Sequence, residues 1–251
     1  MPDYMEERLD MPLGRVLPLI QDSILSGTTY FGVPTLKNPM DAWIYQEIVY
    51  EMKPDVIVEI GNRHGGSALL FAHLCDILGK GRVIGVDLDH HTVPDRVKAH
   101  ARITFIDGDA CQSAERVFSL IAPDERVLLV EDSAHTYDNT LNVLRRYSDL
   151  VKTGDYFIVE DSVCHHGLDT GPKPGPYEAI ETFVRENADF QIDRSRERFV
   201  ITWNPKGFLK RVARNNVGRA VAPVHEPAPP AATESFGAML KATLKKLTGG
   251  R

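Results

Sequence analysis

The sequence predicts an α/β protein: a doubly wound, mostly parallel sheet with an N-terminal helical layer and a terminal antiparallel strand. Three observations predict it. From Asp55 onward, short apolar runs alternate with segments at helical spacing, the pattern of repeated βαβ units. The run Val56-Ile-Val-Glu-Ile60 has the near-continuous apolar character of a strand covered on both faces, and it leads into the glycine-rich turn Gly61-Asn-Arg-His-Gly65-Gly66-Ser67. Acidic residues then recur where each predicted strand ends, the side on which open α/β sheets carry their chemistry.

Composition sets the outer bounds. With 251 residues, 43% of them hydrophobic, the chain can build one large core. A net charge of −6 argues against a general nucleic-acid binder. The cysteines, Cys75, Cys111 and Cys164, are odd in number and widely spaced, which suggests a reducing compartment rather than a disulfide framework. No apolar run approaches the roughly 20 residues that span a bilayer. Met1 to Asp10 is acidic and polar, unlike a signal peptide. These features predict a soluble, cytoplasmic protein, and they leave a homo-oligomer open.

Taken in order, Glu6 to Leu25 places Leu9, Leu13, Val16, Leu17, Ile20 and Ile24 at near-helical spacing, with Pro12 and Pro18 breaking the run. Thr28 to Pro39 reads as irregular. Asp41 to Met52 reads as a helix entered through Pro39 and ended before Pro54. Residues 1–54 thus form a helical layer that either roofs the glycine turn or covers the sheet. Strands are predicted at Val56–Ile60, Arg82–Asp87, Ile103–Ile106, Val127–Glu131 and Tyr156–Glu160. Helices are predicted at Gly66–Leu78, Ala110–Ile121, Asn139–Val151 and Tyr177–Asn187, with a short one near Pro94–His100. Phe190–Asp193 and Phe199–Trp203 close the sheet as a hairpin, and the core domain, 55–211, ends near Arg211. Beyond it, residues 212–251 carry six Lys/Arg against two Asp/Glu. They contain a Pro/Ala-rich linker from Val221 and an amphipathic helix over Thr233–Leu247, suited to an anionic surface, a partner or the chain's own core.

The glycine turn predicts a cofactor. Glycines allow a sharp turn and close backbone approach, and the following helix presents free N–H groups. Its spacing, E-x-G-x-x-x-G-G-S, departs from the dinucleotide fingerprint G-x-G-x-x-G. Glu59, two residues before Gly61, suits a cofactor that carries a cation, and S-adenosylmethionine carries an ammonium and a sulfonium without a pyrophosphate. Glu59, Gly61, Asn62 and Gly65 are the expected contacts at the turn. Asp87 closes the second strand, where a carboxylate can accept from both ribose hydroxyls, and Asp109 lies where an adenine amino group would be held.

The last two strand ends suggest metal chemistry. Asp132 follows one strand, and Glu160 and Asp161 follow its neighbour. All-oxygen ligands favour a hard cation such as Mg²⁺, which would bind a substrate hydroxyl and lower its pKa. His135, three residues after Asp132, is placed to take the proton. Cys164-His165-His166 offers transition-metal donors, but adjacent histidines rarely share an ion, and the segment to Pro176 is rich in glycine and proline. A loop or a substrate contact is the simpler reading there.

Tyr30-Phe-Gly-Val-Pro34, Lys37-Asn-Pro-Met-Asp41, Gln46-Glu47, Glu59-Ile-Gly61 and Gly65-Gly-Ser-Ala68 together resemble the cephalosporin hydroxylase family. So do Asp132-Ser-Ala-His135-Thr-Tyr137 and Val159-Glu-Asp161, and the resemblance runs from about Thr29 to Arg211. Many members are similar to sugar O-methyltransferases, including enzymes that methylate rhamnose or mannose units of mycobacterial glycolipids and polysaccharides. The resemblance implies a Rossmann-like class I methyltransferase fold. It implies that Glu59, Gly61, Ser67 and Asp87 bind S-adenosylmethionine, and that Asp132, Glu160 and Asp161 bind Mg²⁺. The spacing is also similar to that of catechol O-methyltransferases, which have a lysine base where His135 stands. The expected activity is O-methylation of a sugar or glycoside hydroxyl. Its alternatives are modification of a β-lactam or other natural product, and a non-catalytic S-adenosylmethionine-binding module.

Overall fold

A computed structural model of the chain describes residues 5–7 and 9–212. The chain divides into two units, Met1–Arg214 and Asn215–Arg251. The linker and the helix predicted at Thr233–Leu247 lie outside the described residues.

The first unit opens with α1 (Leu13–Gly27), a two-stranded hairpin of β1 (Thr29–Tyr30) and β2 (Val33–Pro34), and α2 (Pro39–Met52). Pro18 does not break α1: the helix starts after Pro12 and runs through Pro18, which forgoes one backbone hydrogen bond near its start. Next come β3 (Val56–Ile60), α3 (Gly66–Leu78), β4 (Arg82–Asp87), α4 (Asp95–Lys98), β5 (Ile103–Asp107) and α5 (Ala114–Ser119). They are followed by β6 (Val127–Glu131), α6 (Tyr137–Tyr147), β7 (Tyr156–Val159), α7 (Pro176–Glu186), β8 (Phe190–Ile192) and β9 (Phe208–Arg211). Helix α5 is shorter than the periodicity over Ala110–Ile121 predicts, because the Asp109 carboxylate accepts from Gln112 N and holds a turn ahead of it.

Seven strands form one sheet in the order β5-β4-β3-β6-β7-β9-β8. Neighbours pair in parallel from β5 to β7, and β9 runs antiparallel to both β7 and β8. The closing strand is Phe208–Arg211 and not Phe199–Trp203. The β-prone run at Phe199–Trp203 is drawn elsewhere: Trp203 N and the Thr202 hydroxyl donate to the Asp41 carboxylate, and Trp203 O accepts from Val163 N. Tertiary partners override local propensity there. From β3 the chain winds outward through β4 and β5, then returns to β6 beside β3 and continues to β7. The winding reverses between β3 and β6, and a crevice opens outside their carboxyl ends.

The sheet separates two apolar layers by strand alternation. Val56, Val58, Ile60, Val127 and Leu129 pack with Val117 of α5, Leu141 and Leu144 of α6, and Ile180 and Phe183 of α7. Ile57, Leu128, Val130 and Ile158 pack on the other face with Ile44, Tyr45, Ile48 and Val49 of α2 and with Phe71 and Ala72 of α3. The hairpin and the residues after it lie against the start of α3. A Cβ on Gly66 would stand 1.9 Å from Thr35 Oγ1 and 2.6 Å from Pro34 O. We therefore expect Gly66→Ala to cost about 1–3 kcal/mol through overpacking, measured by urea unfolding. Adding Thr35→Ala should recover part of that loss. An unchanged midpoint in Gly66→Ala would show that this contact is not tight.

Candidate active site

Strand alternation aims the acidic side chains. Glu59 shares the face of Ile57, the α2/α3 side, and is fully buried. Carrying the alternation past the ends of β6 and β7 puts Asp132 on the face of Val130 and Glu160 on the face of Ile158. Three carboxylates from three adjacent strands thus point to one side. The segment leading into α2 delivers Lys37 to that point. Its Nζ donates to Asp132 Oδ2 and Glu160 Oε1, both at 2.6 Å, and lies 3.5 Å from Glu59 Oε1. Burial alone would lower the Lys37 pKa, but the surrounding Asp132, Glu160 and Glu59 charges raise it well above the usual lysine range. Sequence reasoning gave Lys37 no role. The acidic strand ends together call for a buried cation, but no local pattern singles out Lys37, which directly precedes the helix start Asn38-Pro39, where the Asn38 side chain accepts from Met40 N.

A second group lies beside the first. One ligand atom each from Asp132, His135 and Asp161 falls within 4.8 Å of the others. His135 Nε2 is 3.9 Å from Asp132 Oδ1 and 3.5 Å from Asp161 Oδ2. Both His135 and Asp161 have φ of 56°, a left-handed backbone sparsely used by non-glycine residues and concentrated at functional sites. Burial pushes the Asp161 carboxyl up to about 6 despite the opposing effect of His135, and burial with the Asp132 charge holds Glu160 well above the usual carboxylate range. Carboxylate oxygens at these spacings fit a small hard cation, with the His135 imidazole beside them. Of the three predicted metal ligands, the structure groups Asp132 and Asp161 with His135. Glu160 stands alongside, with Oε1 held by Lys37 and a second oxygen, Oε2, on the same carboxylate. Beneath the loop, the buried Glu131 carboxylate accepts from the Ser133 hydroxyl, Asn139 Nδ2 and Thr140 Oγ1.

The cofactor turn abuts this loop. Gly61 has φ of 91°, and a Cβ there would lie 2.0 Å from Asp132 O, so only glycine lets the turn close against the loop after β6. Asn62 Nδ2 donates to Glu59 Oε2 at 2.7 Å, and Asn62 Oδ1 lies 3.2 Å from His90 Nε2. His90 Nδ1 continues the chain to Asp107 Oδ1. Ser67, buried in the first turn of α3, hydrogen-bonds Glu59. The closest cation to Glu59 is therefore Lys37, and its carboxylate braces the turn from below. Asp87 does similar work from the side: Oδ2 accepts from Asn62 N and Arg63 N, and Oδ1 from Leu88 N. A carboxylate offers about four acceptor sites, so room remains for a ligand hydroxyl. Gly65 caps α3 without a side-chain acceptor, and the first N–H groups of a helix have no partner within it. Asp109 is half-buried, its Oδ1 on Gln112 N.

The Cys164-His165-His166 run is a loop held by its own contacts. His165 bonds Asp169 Oδ1 and Gly171 O, and His166 stacks on Tyr177 and bonds Glu178. Burial pushes the Cys164 thiol up to about 12. Among the described residues, the grouping with metal-ligand spacing is Asp132, His135 and Asp161. No described helix is long and apolar enough to cross a membrane.

The rhamnosyl O-methyltransferase/CmcI family matches residues 23–212. A rhamnosyl O-methyltransferase of Mycobacterium bovis is 35% identical over 191 residues, covering 73% of this chain and 78% of the relative. One of Mycobacterium leprae is 35% identical over 192 residues, covering 73% and 83%. Among solved structures, the chain is similar to CmcI with Mg and SAM at a TM-score of 0.59 and 27% identity, covering 74% of this chain and 77% of that one.

Asp161 rests on a buried polar wall. Its backbone N donates to Asn204 Oδ1, and Asn204 Nδ2 donates to Tyr45 OH. Nearby, Asp41 accepts from the Thr202 hydroxyl at 2.5 Å and from Trp203 N at 2.8 Å, and burial pushes its pKa up to about 7. An acid whose folded pKa is raised contributes most below its unfolded value near 3.8, and that contribution is lost as pH climbs to about 7. Urea unfolding in EDTA should therefore show wild type losing more stability between pH 4 and pH 7 than Asp41→Asn does. Equal slopes would mean that Asp41 is ionised in the folded protein throughout that range.

Proposed function

The chain belongs to the rhamnosyl O-methyltransferase/CmcI family, and from that membership and the geometry of its strand ends we propose that it is an S-adenosylmethionine- and Mg²⁺-dependent O-methyltransferase acting on a sugar hydroxyl. The observation that carries this reading is the Asp132–His135–Asp161 group, set beside the Gly61 turn at the point where the sheet reverses its winding. The relatives' rhamnosyl acceptor favours a glycoside over a β-lactam.

When bound, the cofactor supplies an electrophilic methyl group and Mg²⁺ a Lewis acid that makes a sugar hydroxyl more acidic. The chain's own residues do the rest. Asp132 and Asp161 would hold the cation, with Glu160 as the third carboxylate alongside them. His135 Nε2, beside Asp132 and Asp161, would accept the proton that the sugar hydroxyl gives up. Glu59 and Ser67 brace the turn formed by Gly61, Asn62 and Gly65. Asp87 would take the ribose, Asp109 the adenine edge, and the N–H groups at the start of α3 the cofactor's carboxylate. Rate comes chiefly from holding methyl donor and acceptor in line.

The test combines binding with turnover. Calorimetry should show S-adenosylmethionine or its demethylated product binding, and no binding of NAD. Mass detection should find a methylated product among a panel of rhamnosides and other glycosides, and EDTA should abolish it. His135→Ala should keep Mg²⁺ and cofactor affinity while lowering turnover by roughly 10²–10⁴. A collapse of metal affinity in that variant would make His135 a ligand, and tight NAD binding would sink the cofactor assignment.

A further inference from the structure

Asp132 faces two cationic claims. Its Oδ2 is held by Lys37 at 2.6 Å, while its Oδ1 points towards His135 in the group that fits a divalent ion. Glu160 is divided in the same way, with one oxygen on Lys37. Lys37 is almost wholly buried and is held by carboxylates from three strands. Its backbone is anchored on both sides, by Thr35 against Gly66 and by Asn38 capping α2. We propose, on the metal reading given above, that Lys37 is a built-in competitor of the divalent cation, whose ammonium draws on the same carboxylates and sets how loosely the site holds the ion.

Two effects of Lys37 oppose each other. Its hydrogen bonds orient Asp132 and Glu160, which favours metal binding by reducing the freedom lost when the ion arrives. Its unit charge repels a double charge only a few ångströms away in a half-buried site, which disfavours binding. Ordering two side chains is a small term, whereas repulsion between close, poorly screened charges is a large one. Repulsion wins. Affinity in oxygen-ligand sites also follows their net ligand charge. With Lys37 present, the four carboxylates Glu59, Asp132, Glu160 and Asp161 carry one unit less net negative charge than their number provides. The site is thereby set to exchange its metal rather than to sequester it.

The experiment titrates Mn²⁺ into the full chain after EDTA treatment, with free Mn²⁺ read by electron paramagnetic resonance. Lys37→Met keeps a stem of similar length and removes the charge. It should bind Mn²⁺ at least about tenfold more tightly than wild type, and the neutral Lys37→Gln should reproduce the gain. Equal or weaker affinity, or a gain confined to one of the two variants, overturns the proposal. If the variants unfold without metal, the melting temperature across a Mn²⁺ series replaces the titration. Mn²⁺ must then raise it more in the variants than in wild type, and no larger rise is a negative answer. Failure of Mn²⁺ to bind any of the proteins removes the metal from the proposed function itself. Equal binding by all of them removes only the competition.

Discussion

Like charges cannot crowd together out of water without a counter-ion. The parallel sheet brings carboxylates to one face, because Glu59 near the end of β3, Asp132 just past β6 and Glu160 just past β7 fall on the same side of the strand alternation. Unpaired, such a cluster would have to take up protons or stay open to solvent. Lys37 meets the requirement from outside the sheet. The path of the chain before α2 is then fixed by electrostatics as much as by packing: the hairpin, the Thr35–Gly66 contact and the Asn38 cap all place one ammonium. Removing one partner of a buried charge set usually costs far more than the set contributes. The arrangement is therefore better understood as specifying one geometry than as adding stability.

Sheet and site stand in a simple relation. The reversal of winding between β3 and β6 opens the crevice, and the two sides of that crevice serve the two expected ligands. On one side, backbone groups of the Gly61–Gly65 turn are tied to the Asp87 carboxylate and to the Glu59–Asn62–His90 chain. On the other, His135 and Asp161 hold left-handed backbone angles that swing their side chains towards Asp132. Buried Glu131, with Ser133, Asn139 and Thr140, keeps the intervening loop in place.

Much of this was legible in the sequence, for identifiable reasons. Strands β3, β4 and β6 and helix α3 coincide with their predicted bounds because each is a long apolar run ended by a glycine or a charge. The acidic strand ends were visible as a set, and the structure brings Asp132, His135 and Asp161 together. What local reasoning missed depends on contacts distant in sequence. Phe199–Trp203 has the composition of a strand, but its polar groups meet Asp41, some 160 residues earlier. Pro18 looks like a breaker, yet it sits near the start of α1, where few bonds are lost. Lys37 is one lysine in an irregular segment, and nothing within ten residues of it reveals the Asp132 and Glu160 oxygens that define its place.

The contact between Gly61 and the carbonyl of Asp132 has a consequence for how such a protein can diversify. Because the two loops share a wall without a side chain's width between them, neither can be remodelled alone. A change that reshapes the Gly61 turn displaces the loop that begins at Asp132, and the reverse. New acceptor preferences would then arise in segments away from that contact, such as the loop from His165 to Gly171, whose histidines bond within the loop and to α7. An engineer seeking a different glycoside would vary that loop first and leave the centre of the sheet intact.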